Sequence, residues 1–96
     1  MSKQMIYVRL EEGFSVSRSV ESFSDLLFED EQCHVVLKDG KKGFISRRMA
    51  KKILREKPEL LRRSSTNPLI EWLLSETGIE PDERDWLERL ADAFKN

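Results

Sequence analysis

After Ser46 the chain runs RRMAKKILREK, residues 47–57, with no helix breaker before Pro58. Wound into a helix, Met49, Ala50, Ile53 and Leu54 share one face. Arg48, Lys51, Lys52 and Arg55 take the other, at the spacings i, i+3, i+4 and i+7. Ser46 has the side chain wanted at an N-cap. So short a helix is marginal alone, and its apolar stripe needs a surface to lie on. The segment therefore predicts a basic amphipathic helix packed on the rest of the chain.

The preceding residues predict a small antiparallel sheet. MIYVRL, residues 5–10, alternates and is rich in β-branched and aromatic side chains. EEG then offers a turn, and FSVS, residues 14–17, alternates again as the second arm of a hairpin. Val20, Phe23, Leu26 and Leu27 recur at helical spacing, and Ser22 with Asp25 resembles a capping box, which predicts a short helix over about 20–29. QCHVVLK then reads as a strand, DGKKG as a turn opened by Asp39-Gly40, and FIS as a returning strand.

Beyond the basic helix, PELLRR predicts a helical turn with Pro58 at its first position. Residues 64–67 read as a polar hinge ending in Asn67, a good N-cap, with Pro68 at the first helical position. Leu69, Ile70, Leu73 and Leu74 give the next helix its apolar face, and Gly78 is placed to end it. Pro81 opens a last helix whose first turn holds Asp82, Glu83 and Asp85, suited to the positive end of the helix dipole. Trp86, Leu87, Leu90, Ala91 and Phe94 line one side of it. The expected fold class is thus α+β, in three parts. Residues 1–63 form a sheet domain with the basic helix, 64–67 a hinge, and 68–96 an antiparallel helical hairpin with Trp72 and Trp86 among its larger apolar groups.

Of the 96 residues, 39% are hydrophobic and 36% charged, which places the chain with small globular domains and leaves no stretch long enough to span a bilayer. The first residues lack the apolar core of a signal peptide, and Cys33 is the only cysteine, so the cytoplasm is the expected location. The net charge of −1 conceals three blocks. Residues 1–37 hold three basic and seven acidic side chains, 38–63 eleven and three, and 64–96 three and eight, giving −4, +8 and −5. Such a pattern serves either a cationic docking surface or attraction between the blocks themselves.

No constellation for catalysis stands out. Cys33 and His34 adjoin, but successive strand residues point to opposite faces, and without further Cys or His there is no zinc set. Glu80, Asp82, Glu83 and Asp85 lack the alternation and central glycine of a calcium loop. DGKKGF is too short for a phosphate-binding loop and lacks its closing Lys-Ser/Thr pair. The expectation is a protein that is not an enzyme and needs no cofactor or metal. Its candidate docking residues are Lys41, Lys42, Arg48, Lys51, Lys52 and Arg55, for a nucleic-acid backbone or an acidic protein surface. Trp72, Trp86, Leu90 and Phe94 are the candidates for core or partner contact, because the hairpin carries more apolar surface than its two helices bury against each other. Asn67-Pro68 follows a flexible polar run, and an accessible bond of this kind is one a peptidyl-prolyl isomerase could engage.

In length, in the basic segment GKKGFISRRMAKKILREKPELL and in the joint SSTNPLIEWLL leading to acidic helices, the chain resembles the anti-RecBCD (Abc-type) accessory proteins of lambdoid phages. The resemblance implies a non-enzymatic protein that binds the host RecBCD helicase–nuclease through its RecC subunit. It would alter the degradation of linear DNA and the response to recombination signals. No residue roles come with it. The alternative from the residues alone is a small nucleic-acid-binding protein using the basic helix of residues 47–57.

Overall fold

A computed structural model of the chain describes residues 4–94. The alternating segments form strands β1, Met5–Leu10, and β2, Ser15–Ser19. They are joined by a tight turn in which Gly13, at φ +110°, donates its N–H to the Leu10 carbonyl. Strands β3, Phe23–Glu29, β4, Gln32–Leu37, and β5, Lys42–Ile45, follow. The β4–β5 turn holds Gly40 at φ +94°, and the Asp39 carboxylate accepts from the Lys41 N–H. All five strands pair antiparallel in the order β2-β1-β5-β4-β3.

That order constrains the shape. β2 and β3 are the two edges, yet only a 3-10 turn, Val20–Ser22, separates them. In a flat sheet the edges would lie about 19 Å apart, at ~4.8 Å per strand, while four residues of extended chain reach at most about 14 Å. The sheet therefore curls, and Ile6, Val8, Leu10, Phe23, Leu26, Cys33, Val35, Leu37 and Ile45 are buried on its concave side. The curl also brings β1 hard against β5. A Cβ on Gly43 would collide with Val8 Cγ1 and approach the Arg9 carbonyl oxygen to 2.9 Å.

Residues 23–29 are a strand where a helix was expected. A bulge between Phe23 and Asp25 inserts one residue into the pairing with β4, so Phe23 and Leu26 both face inward at a spacing of three. This spacing imitates helical periodicity. Ser22 closes the 3-10 turn and caps no helix among the described residues, and Asp25 instead accepts from the Leu26 N–H and pairs with Arg62. Asp30 and Glu31, at φ 53° and 60°, turn the chain back into β4.

Among the described residues, three helices follow the sheet: α1, Arg47–Glu56, α2, Thr66–Leu74, and α3, Pro81–Ala93. Ser46 caps α1 as expected, its hydroxyl accepting from the Met49 N–H at 3.3 Å. Met49, Ala50, Ile53 and Leu54 enter the core formed by the sheet. The link to α2 contains the 3-10 turns Pro58–Leu60 and Arg63–Ser65 and follows the β3 edge. Leu61 forms a parallel bridge to Leu26, and Ser65 Oγ accepts from the Phe28 N–H.

Where a polar hinge was expected at 64–67, Ser65 and Thr66 are buried and the chain is already helical. α2 starts two residues earlier than expected, so Asn67 and Pro68 are its second and third residues rather than N-cap and first residue. The Thr66 hydroxyl binds the Arg62 carbonyl, which fixes this start. Proline is still compatible, because the N–H groups of the first turn have no intrahelical acceptor. The Asn67–Pro68 bond is trans. α2 also ends sooner, at Leu74, leaving Gly78 at φ +78° within the loop. Leu69, Ile70, Leu73 and Leu87 are buried in the same core as the strands.

Candidate functional site

The cationic face of α1 is divided in two. Arg47, Lys51 and Arg55, spaced i, i+4 and i+8, form a row turned toward α2 and α3. The Arg47 guanidinium lies 4.9 Å from the Trp72 ring centre and that of Arg55 4.6 Å from Trp86. Between them Lys51 pairs with Glu76 and, at 3.2 Å, with Glu83, leaving its side chain 11% exposed. Burial lowers the Lys51 pKa and the two carboxylates raise it, with a net result above the ordinary lysine value. Among the described residues, Lys51 thus ties the +8 block to the −5 block by ion pairs, while Lys57 and Arg62 pair with Glu21 and Asp25 of the N-terminal block. Arg48 remains exposed and Lys52 half-buried on the outward side, with Lys41 and Lys42 exposed on the neighbouring turn.

At the start of α1 the row borders a groove of about 570 Å³ lined by Phe28, Glu31, Arg47, Pro68, Glu71, Trp72 and Ser75. Phe28 from β3 and Trp72 from α2 pack with ring centres 5.3 Å apart. Arg47 covers the indole and donates to Ser75 Oγ at 3.3 Å, while that hydroxyl donates to the Trp72 carbonyl at 2.7 Å. Asn67 and Pro68 are exposed beside it. Trp86, Leu90 and Phe94 are half-buried against the core, so the apolar side of α3 is largely used within the chain.

The convex face of the sheet holds a second cluster. Leu27, His34, Phe44 and Arg9 lie in one cross-strand row, with the His34 and Phe44 rings 4.7 Å apart. Tyr7, two residues before Arg9 on the same face of β1, is 65% exposed. Tyr7, Arg9, Phe44 and Arg48 border a groove of about 490 Å³. Sequence alone linked neither Tyr7 nor Arg9 to the basic segment. Their outward alternation in MIYVRL was visible, but the β1–β5 pairing that sets them beside Phe44 was not.

Comparison with protein-family models, curated proteins and solved structures gave no match.

The remaining candidates have local explanations. Cys33 faces the core and burial pushes its thiol up to about 12, whereas His34 faces the other way, with Nε2 3.3 Å from the Glu29 carbonyl oxygen. Glu83 is committed to Lys51, and Asp85 pairs with Arg89 one turn on. Among the described residues, no group of His, Cys, Asp or Glu is arranged to hold a metal ion, and no helix is long and apolar enough to cross a membrane.

Proposed function

We propose that this chain is a non-enzymatic, phage-type modulator that docks on a host DNA-processing enzyme and alters its nuclease and recombination activity. The observation that carries the reading is the groove at Trp72, where an arginine-covered indole stands beside Phe28 and the exposed Pro68. Tryptophan and arginine are the side chains most enriched among residues that dominate protein–protein affinity. A groove that already holds its indole and guanidinium together loses little freedom on binding. The internal use of Lys51 favours this over a phosphate-tracking helix, because it interrupts the row of cations that such a helix would present.

The resemblance in the basic segment and the joint names the target: the RecBCD helicase–nuclease, through RecC, in the cytoplasm of the host. A host peptidyl-prolyl isomerase is a second partner, at Asn67-Pro68. The alternative, direct nucleic-acid binding by the helix of residues 47–57, is left with Arg48, Lys52 and Arg55. The test is capture of purified RecBCD by the immobilised protein, with degradation of linear duplex DNA measured in parallel. Native protein should bind stoichiometrically and change the nuclease rate. Glu71→Arg on the groove rim and Trp72→Ala in its floor should each weaken capture at least tenfold, with the fold of each variant checked by circular dichroism. Capture unaffected by either change would exclude this groove, and no capture by the native protein would sink the reading.

A further inference from the structure

We propose that the convex face of the sheet binds single-stranded DNA along the groove bordered by Tyr7, Arg9, Phe44 and Arg48. A single strand offers two things to a protein, the faces of its bases and a regular line of phosphates. Sites that bind it without reading sequence combine aromatic rings with cations along one path. Tyr7 and Phe44 supply the rings here. Tyr7 stands free at 65% exposure, and Phe44 is steadied from its far side by His34, 4.7 Å away. Arg9 and Arg48 are the charged residues lining this groove, and both are exposed and without an ion-pair partner among the described residues. Lys42 extends the cationic border on β5, one strand away from β1.

The chemistry of the border identifies the occupant. An acidic protein surface would satisfy the arginines but leave the rings between them unused. An apolar partner would have to bury two unpaired guanidinium groups, which is costly. Duplex DNA offers phosphates but keeps its base faces stacked. The choice of DNA over RNA rests on the proposed function, because a helicase–nuclease produces single-stranded DNA where this protein would be bound. The surface itself does not depend on that reading.

The probe is a labelled oligothymidylate of about 12 nucleotides, followed by fluorescence anisotropy at low salt and by amide chemical shifts of the isotopically labelled protein. Binding is expected with Kd of about 1–100 μM and a log–log salt slope of about −1.4, from two phosphate contacts. The shifts should centre on Tyr7, Arg9 and Phe44. Tyr7→Ala should weaken binding about tenfold and Arg9→Glu by at least as much, while Lys52→Glu, outside the groove, should change it less than twofold.

No binding by the native protein at millimolar concentration would overturn the proposal, as would equal binding of the matching duplex or a loss on Lys52→Glu that Tyr7→Ala does not share. Equal or tighter binding of oligouridylate would overturn the choice of DNA. Capture of RecBCD by Tyr7→Ala separates the two readings. Capture kept with DNA binding lost supports both, and capture absent from native protein that still binds DNA overturns only the proposed function.

Discussion

Lys51 shows how a residue read as surface becomes structural. Its spacing puts it in the cationic stripe, but α2 and α3 bring Glu76 and Glu83 to its ammonium and leave it 11% exposed. Lys51→Met keeps much of the side-chain volume and leaves two carboxylates facing each other. A partly buried pair of this kind should cost about 1–3 kcal/mol when one partner is removed, between the values for exposed and fully buried pairs. That corresponds to a fall in Tm of about 4–8 °C per kcal/mol in a domain of this size. Adding Glu76→Gln should recover part of the loss, by an interaction a double-mutant cycle can measure.

The pH dependence has a definite sign. Folded Lys51 holds its proton more tightly than the unfolded side chain, so its contribution is complete below the unfolded value of ~10.4 and disappears as pH rises through the folded one. The stability gap between native protein and Lys51→Met should stay constant from neutral pH to about 10 and close above it. A gap that persists undiminished under strongly alkaline conditions would assign the loss to packing instead.

At the scale of elements, what was legible depended on how local each signal is. Ser46 and the helix after it, Pro81 with its acidic first turn, and the hairpin of residues 5–19 follow from adjacent residues and form as read. β3 does not, because the bulge at Ser24 gives a strand the spacing of a helix, and only pairing with β4 decides between them. The start of α2 was misplaced by two residues because Ser65 is occupied by β3 and Thr66 bonds back to Arg62, both contacts formed by folding. Pro68 in the first turn forfeits no intrahelical bond, so Pro68→Ala should move the unfolding free energy by no more than about 1 kcal/mol. If the isomerase contact exists, the same substitution should remove that enzyme from material purified out of host cells. An isomerase retained by Pro68→Ala would place the contact elsewhere.

For the whole molecule, the division into a sheet domain, a hinge and a hairpin can be tested by unfolding. Leu69, Ile70, Leu73 and Leu87 share one buried cluster with Ile6, Val35 and Leu54, and the α1 row ties both C-terminal helices to the sheet body. Unfolding in urea should therefore be a single transition. Indole fluorescence, from Trp72 and Trp86 only, should share its midpoint with far-ultraviolet circular dichroism, which reports every element. An earlier fluorescence transition would show the helical pair leaving a sheet that stays folded. Leu90→Asp should lower that common midpoint, since Leu90 is half-buried against this core.

The sequence by itself determined the fold class, because alternation, turn residues and helix caps act within a few neighbouring positions. It also determined which face of α1 is apolar and that the charges fall into opposing blocks. The tertiary structure decided where those charges are used. Lys51 became an internal tie because α2 and α3 cross its row, and Arg47 and Arg55 became covers for indoles 25 and 31 residues away along the chain. It also set Tyr7 and Arg9 beside Phe44, since β1 pairs with β5 across more than thirty intervening residues. A surface is made by residues distant in sequence, and the free energy that assembles it comes from burying the core beneath it. Hence a pattern read along the chain can find the core-facing stripe of each element, while the composition of the outer surface emerges only when the elements are packed together.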